Sequence, residues 1–177
     1  MSYVTYITEA LVCGTFNRNT ADRTYLLFTR EAGMLYADAR SVREERSRQR
    51  YALQDFARIR VSLVKGKKGW KIGSVEAGPN YFSLASTREA RASVVSLYRA
   101  LRRFIQGEEV SPELFDFCLE ALTEAIKPIK HRDFFDLCVQ LKLMTSLGYV
   151  ADGLVPTELN QTPISEVVNK ESQPLRK

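Results

Sequence analysis

The chain has 177 residues, 45% of them hydrophobic and 27% charged, a balance that suits one soluble folded domain or two small ones and excludes a fibrous or wholly disordered chain. No apolar run reaches 18 residues, and the first ten residues, MSYVTYITEA, lack a basic segment before an apolar core; neither a membrane span nor a signal peptide is expected, and the expected location is the cytoplasm. The net charge of +5 is uneven: +6 over residues 1–80, zero over 81–150 and −1 over 151–177, so the basic excess belongs to the first half and hints at a polyanionic partner.

Tyr3 to Thr15, rich in Thr, Val, Ile and Tyr, reads as a strand. Residues 17–22 form a polar loop. Thr24–Thr29 is a second strand, Gly33 closes a tight turn, and Met34–Ala39 returns as the other arm of a hairpin. Residues 40–50, RSVREERSRQR, hold five arginines and one large apolar side chain, Val42. So many guanidinium groups exclude a buried element, so this is an exposed loop or surface helix. Tyr51–Val64 is predicted as a strand, with Ile59, Val61 and Leu63 alternating with Arg58, Arg60 and Ser62. A basic hairpin loop at 65–69 leads to a partner strand, Trp70–Ala77, and Gly78-Pro79-Asn80 closes the region. About five strands in 80 residues must close on themselves to hide an apolar face, and a small barrel is the economical answer.

The second half has helical period. Ser86 with Glu89 suggests a capping box, followed by a stripe of Ala90, Val94, Leu97, Leu101, Phe104 and Ile105, with Gly107 as the C-cap glycine. Ser111-Pro112 reads as an N-cap with proline behind it, opening a helix whose stripe is Leu114, Phe115, Cys118, Leu119, Leu122, Ala125 and Ile126, stopped by Pro128. His131–Leu147 is a third helix, with Phe134, Phe135, Leu137, Cys138, Leu141, Met144 and Leu147 as its apolar face. The fold class is therefore α+β: a five-stranded OB-fold barrel over 1–80 and a small helical bundle over 81–150. Residues 151–177 are expected to hold one short helix from Thr162-Pro163 to Val168 and a disordered tail from Asn169.

Catalytic chemistry has little support. His131 is the sole histidine and is flanked by Lys130 and Arg132 rather than by an acid or cysteine. Cys13, Cys118 and Cys138 form no CxxC pair, which argues against a disulfide scaffold and reads as three small buried hydrophobes. The glycines match no phosphate-cradling loop. No enzyme activity, cofactor or metal is expected. The cations are more informative. Arg40, Arg43, Arg46, Arg48 and Arg50 form one cluster, Lys65, Lys67, Lys68 and Lys71 another, with Arg58 and Arg60 between them. OB barrels track nucleic-acid backbones with such cations and stack bases on aromatics. Phe16, Tyr36, Tyr51 and Trp70 are the candidates here, with the barrel core as the competing role of each. RNA or a protein would suit such a barrel as well as DNA, since fold alone does not set function.

Thr20-Ala21-Asp22-Arg23, then Leu27-Phe28-Thr29 with Gly33, then the basic run ending Arg46-Ser47-Arg48, resembles the N-terminal domain of the RecO family of DNA repair proteins. Leu147-Gly148-Tyr149 resembles the end of a helix in that family's second domain. The resemblance implies a recombination mediator that binds and anneals single- and double-stranded DNA, and that works with RecR to load recombinase on strands coated by single-stranded-DNA-binding protein (SSB). It also implies that the helical domain docks the acidic, apolar SSB tail. By position, Arg23, Arg40, Arg43, Arg46 and Arg48 are the foremost DNA contacts, joined by Arg18, Arg50, Arg58, Arg60 and the four lysines; Arg132 and Lys142 are the choices for the SSB tail. Family members are longer and many carry a four-cysteine zinc motif after Leu-Gly-Tyr, whereas residues 150–177 contain no cysteine, so a short form without that zinc site is expected.

Overall fold

The computed structural model describes residues 5–151 and 162–171. Five strands come first: β1 (Thr5–Asn17), β2 (Arg23–Thr29), β3 (Gly33–Ala39), β4 (Ala57–Gly66) and β5 (Gly69–Asn80). They close a barrel in the order β1-β2-β3-β5-β4 and back to β1, with every pairing antiparallel except β3 with β5. This is the Greek-key closure of an OB barrel, and it leaves no open sheet edge. The expected strand start at Tyr3 lies outside the described residues.

The alternation read on β4 holds: Ile59, Val61 and Leu63 point inward with Ala10, Val12, Tyr25, Leu27, Leu35 and Trp70, forming the barrel's own core. Residues 51–56 are not strand. Gln49–Ala52 is a single helical turn, α1, and Phe56 has a φ of +71°. The reason lies in the plug: Val42 and Leu53 are both buried in the barrel core, and a chain crossing the barrel's end to deliver them cannot keep the period of two.

The helices are α2 (Tyr81–Leu84), α3 (Arg88–Phe104), α4 (Pro112–Ala125), α5 (Arg132–Ser146) and α6 (Ile164–Glu171). Their core is shared with the barrel. Leu11, Cys13, Leu26, Phe28 and Met34, on the outer face of β1-β2-β3, pack with Val94, Leu97, Tyr98, Leu101, Phe115, Cys118 and Phe135. Ser111 caps α4 through the Leu114 N–H at 3.4 Å, as read. The cap of α3 is Thr87, one residue beyond Ser86, accepting from the Ala90 N–H at 3.1 Å. Gly107 does not end α3 directly; it sits at φ +78°, and its carbonyl accepts the Met34 N–H of β3. On α5 the buried side chains are Phe135, Cys138, Val139 and Leu143, while Phe134 and Leu137 are exposed, because α3, α4 and α6 leave their flank uncovered. The last helix runs to Glu171, past the point where disorder was expected; the remainder of that expected tail lies outside the described residues.

The segment between α3 and α4 is laced to the barrel. Gly33 has a φ of +64°, and a Cβ there would stand 2.4 Å from the Glu109 carbonyl oxygen, so only glycine fits. Arg30, in the β2–β3 turn, makes two bonds to Asp116 of α4, at 3.0 and 2.8 Å.

Candidate nucleic-acid interface

The Ala21-Asp22-Arg23 motif has a mechanical reason. The Asp22 carboxylate accepts the Ser41 N–H at 2.8 Å and the Asn19 amide at 2.9 Å, and the Ala21 carbonyl accepts the Arg43 N–H at 3.1 Å. The Arg43 guanidinium also donates to the Asn19 carbonyl at 2.9 Å. The β1–β2 loop thus pins the start of the arginine-rich β3–β4 loop, whose first residue after Arg40, Ser41, takes a left-handed φ of 51°. The Ser41 N–H and the Asn19 amide, with Arg40 and Arg18 nearby, hold the Asp22 carboxyl below the usual carboxylate range.

With the loop pinned, Arg23, Arg43 and Arg50 border one open polar groove of about 630 Å³ at the barrel mouth, with Thr15, Asn17, Val42, Tyr51 and Asp55. Tyr51 is 64% exposed, and the Arg50 guanidinium lies 4.8 Å from its ring centre. A cation over a solvent-facing ring, beside two further guanidinium groups, offers both backbone neutralisation and a stacking face. Arg40, Arg46 and Arg48 are exposed on the same loop outside the groove lining.

The other expected residues fall elsewhere. Arg18 forms an ion pair with Asp38, and Arg58 pairs with Glu9 at 2.6 Å. Arg60 is exposed on β4, in register with Glu9 and Glu76. Lys65 bonds Glu108 at 2.8 Å, and that carboxylate also accepts the Trp70 indole N–H at 2.8 Å; Lys65 and then Trp70 hold it below its usual range. Lys67, Lys68 and Lys71 are exposed on the β4–β5 hairpin. Among the stacking candidates, Phe16 and Tyr36 face solvent with ring centres 5.9 Å apart, whereas Trp70 is buried in the barrel.

Arg132 turns inward, donating to Ser93, to the Ala125 carbonyl at 2.9 Å and to the Lys127 carbonyl at 2.8 Å, where it satisfies the C-terminal end of α4. Lys142 is half-buried, donates to the Thr162 carbonyl and lies 5.2 Å from the Phe117 ring centre. A groove of about 320 Å³ opens instead between α3 and α5, lined by Arg99, Arg103, Phe104, Leu143 and Met144. No sequence signal marked it, because its lining is split between α3, which gives Arg99, Arg103 and Phe104, and α5, which gives Leu143 and Met144. The three cysteines are buried; burial pushes the Cys13 thiol up to about 12 and raises Cys118 as well. Among the described residues no three His, Cys, Asp or Glu side chains gather as a metal-ligand set, and no helix is long and apolar enough to cross a membrane.

Fold and groove define an OB-barrel protein with a helical platform on the barrel's outer face and a cationic mouth. Residues 1–78 match the family described as recombination protein O N terminal, which bears out the resemblance read from the sequence. Proteins named DNA repair protein RecO are similar beyond the barrel. That of Desulfitobacterium hafniense is 29% identical over 146 residues, covering 81% of this chain and 52% of the relative. That of Desulforudis audaxviator is 30% identical over 117 residues, covering 66% and 47%, and that of Myxococcus xanthus is 32% identical over 124 residues, covering 67% and 49%. The chain spans about half the length of these curated relatives.

Proposed function

We propose that this chain is a non-enzymatic DNA-binding mediator of recombinational repair, holding single-stranded DNA in the barrel-mouth groove. The observation that carries the reading is the convergence of Arg23, Arg43, Arg50 and Tyr51 on one open polar groove of about 630 Å³. Arg40, Arg46 and Arg48 extend the positive field beyond it. The names of the relatives supply the repair context. Duplex DNA binds the same surface through its phosphates, and annealing follows where two strands are held together. RecR is a further partner on this reading. The acidic, apolar tail of SSB docks between α3 and α5, where Arg99 and Arg103 flank an apolar floor, rather than at Arg132 and Lys142.

Titration of fluorescent single-stranded DNA at two salt concentrations tests the reading. Binding weakens steeply with salt, and changing Arg40, Arg43 and Arg46 to alanine lowers the affinity of the groove. Absence of binding at low salt, or indifference to that triple change, would refute it. Tighter binding to an RNA oligomer of the same sequence would make RNA the ligand.

A further inference from the structure

The charges of the helical half cancel in sum but are sorted by helix. Helix α3 contains five arginines and one glutamate, and α4 four acids and no base. The acids of α4 are largely engaged: Asp116 by Arg30, Glu120 by Ser165 and Glu124 by Lys127. By contrast, the side chains of Arg88 and Arg102 are exposed and make no hydrogen bond or ion pair among the described residues. Helical spacing puts Arg88, Val95 and Arg99 on the face away from buried Ala90, Val94, Leu97 and Leu101, with Arg91 and Arg102 on its flank beside buried Tyr98. Arg91 lies against Phe82 of α2 and Arg102 beside Gly14 of β1, while Arg99 also borders α5.

Aromatic rings interleave with these cations. Phe82 is partly exposed, stacked on Phe56 with centres 5.3 Å apart, and the Arg91 guanidinium lies 5.6 Å from its centre. Phe82, Arg88, Arg91 and Val95 border an open cavity of about 420 Å³. At the other end of α3, the Arg102 guanidinium carbon and the Phe16 ring stand 3.8 and 3.4 Å from where a Gly14 Cβ would be, so this glycine leaves the two side by side. Phe16 in turn meets Tyr36. This seam is not the groove: Thr15 and Asn17 line the groove, and Gly14 and Phe16 alternate with them along β1.

We infer that the seam running from Arg88 along α3 to Phe16 and Tyr36 is a second track for single-stranded nucleic acid, so that one chain holds two segments at once, one in the groove and one on the seam. The inference rests on the nucleic-acid reading of the groove. A row of cations over roughly 20 Å of helix, at 1.5 Å per residue, suits a polymer of evenly spaced phosphates. Partly exposed rings at both ends suit stacked bases rather than an acidic peptide.

The test is the stoichiometry of a fluorescent oligothymidylate of roughly six nucleotides, within the span of one OB barrel, titrated into the full chain at low salt. Two oligonucleotides per chain are expected. Arg88→Gln with Arg102→Gln reduces this to one, as does Phe16→Ala with Tyr36→Ala, and Arg43→Gln with Arg50→Gln removes the other. All the seam side chains replaced are exposed, and an unchanged thermal midpoint shows that the variants fold. One oligonucleotide per chain, lost with the groove variant and untouched by the seam variants, overturns the inference and leaves the groove reading standing. No binding by the unaltered chain overturns both. One oligonucleotide per chain together with an acidic peptide lost in Arg88→Gln/Arg102→Gln makes the seam a protein-docking face and also overturns the inference.

Discussion

Residues 40–50 and 65–71 are alike as sequence: each is a short basic run between apolar strand patterns, one with five arginines and the other with four lysines. The fold treats them differently. The first is nailed down by buried Val42 and by the Asp22, Ala21 and Asn19 acceptors, and two of its arginines join Arg23 around one groove. In the second, Lys65 is tied to Glu108, and none of its lysines lines that groove. The comparison teaches that a cation count does not make a binding surface. Convergence on a concavity does, because clustered charges beside a low-dielectric wall focus the field.

The sharpest way to break the comparison is to neutralise each segment in turn. Arg43→Gln with Arg50→Gln lowers single-stranded DNA affinity at low salt by roughly 10- to 100-fold, and flattens the salt dependence by about 1.4 in the log–log slope, at ~0.7 per phosphate contact. Fluorescence anisotropy reads both quantities. An equal loss from the lysine hairpin would end the distinction drawn here.

A milder effect comes from the anchor itself. Asp22→Ala leaves the arginines in place but removes the acceptor of the Ser41 N–H, and affinity drops by roughly 3- to 10-fold as the loop loses its fixed geometry. Amide exchange at Ser41 and Arg43 quickens in the same variant. The sign of the pH dependence follows from the lowered Asp22 carboxyl, held first by the Ser41 N–H and then by Asn19. Its anchoring is complete above the unfolded value of about 3.9 and is lost as pH falls through the lower folded value. Protection of the Ser41 amide that faded already between pH 6 and 5 would contradict this assignment.

The hairpin side gives the smaller effects. Glu108→Ala frees Lys65 and leaves the Trp70 indole N–H without its acceptor, which costs about 1 kcal/mol in urea denaturation, since the exposed ion pair adds little to the hydrogen bond. Lys67→Gln with Lys68→Gln changes DNA affinity by no more than roughly 2- to 3-fold, through the general field alone.

Much of this architecture was legible from local pattern. The alternation of Ile59, Val61 and Leu63, the Gly33 turn and the Ser111-Pro112 start are decided by steric and hydrogen-bonding rules acting over a few residues. Residues 51–56 were not legible, since Leu53 leaves the strand period to plug a barrel that exists only once five strands have closed. The buried face of α5 differs from the expected one at Phe134 and Leu137 because apolar residues stand on more than one flank of that helix and only its neighbours choose among them.

The sequence alone determined the two halves, the basic character of the first, the order of most elements and the kinship carried by Ala21-Asp22-Arg23 and Leu27-Phe28-Thr29. Tertiary structure alone decided which cations converge, that Arg132 and Lys142 donate to backbone carbonyls, and that a helical half neutral in sum carries five arginines on α3. Periodicity is a local property of the chain, whereas a groove or a charged face is made by residues far apart in sequence, and only packing brings them together.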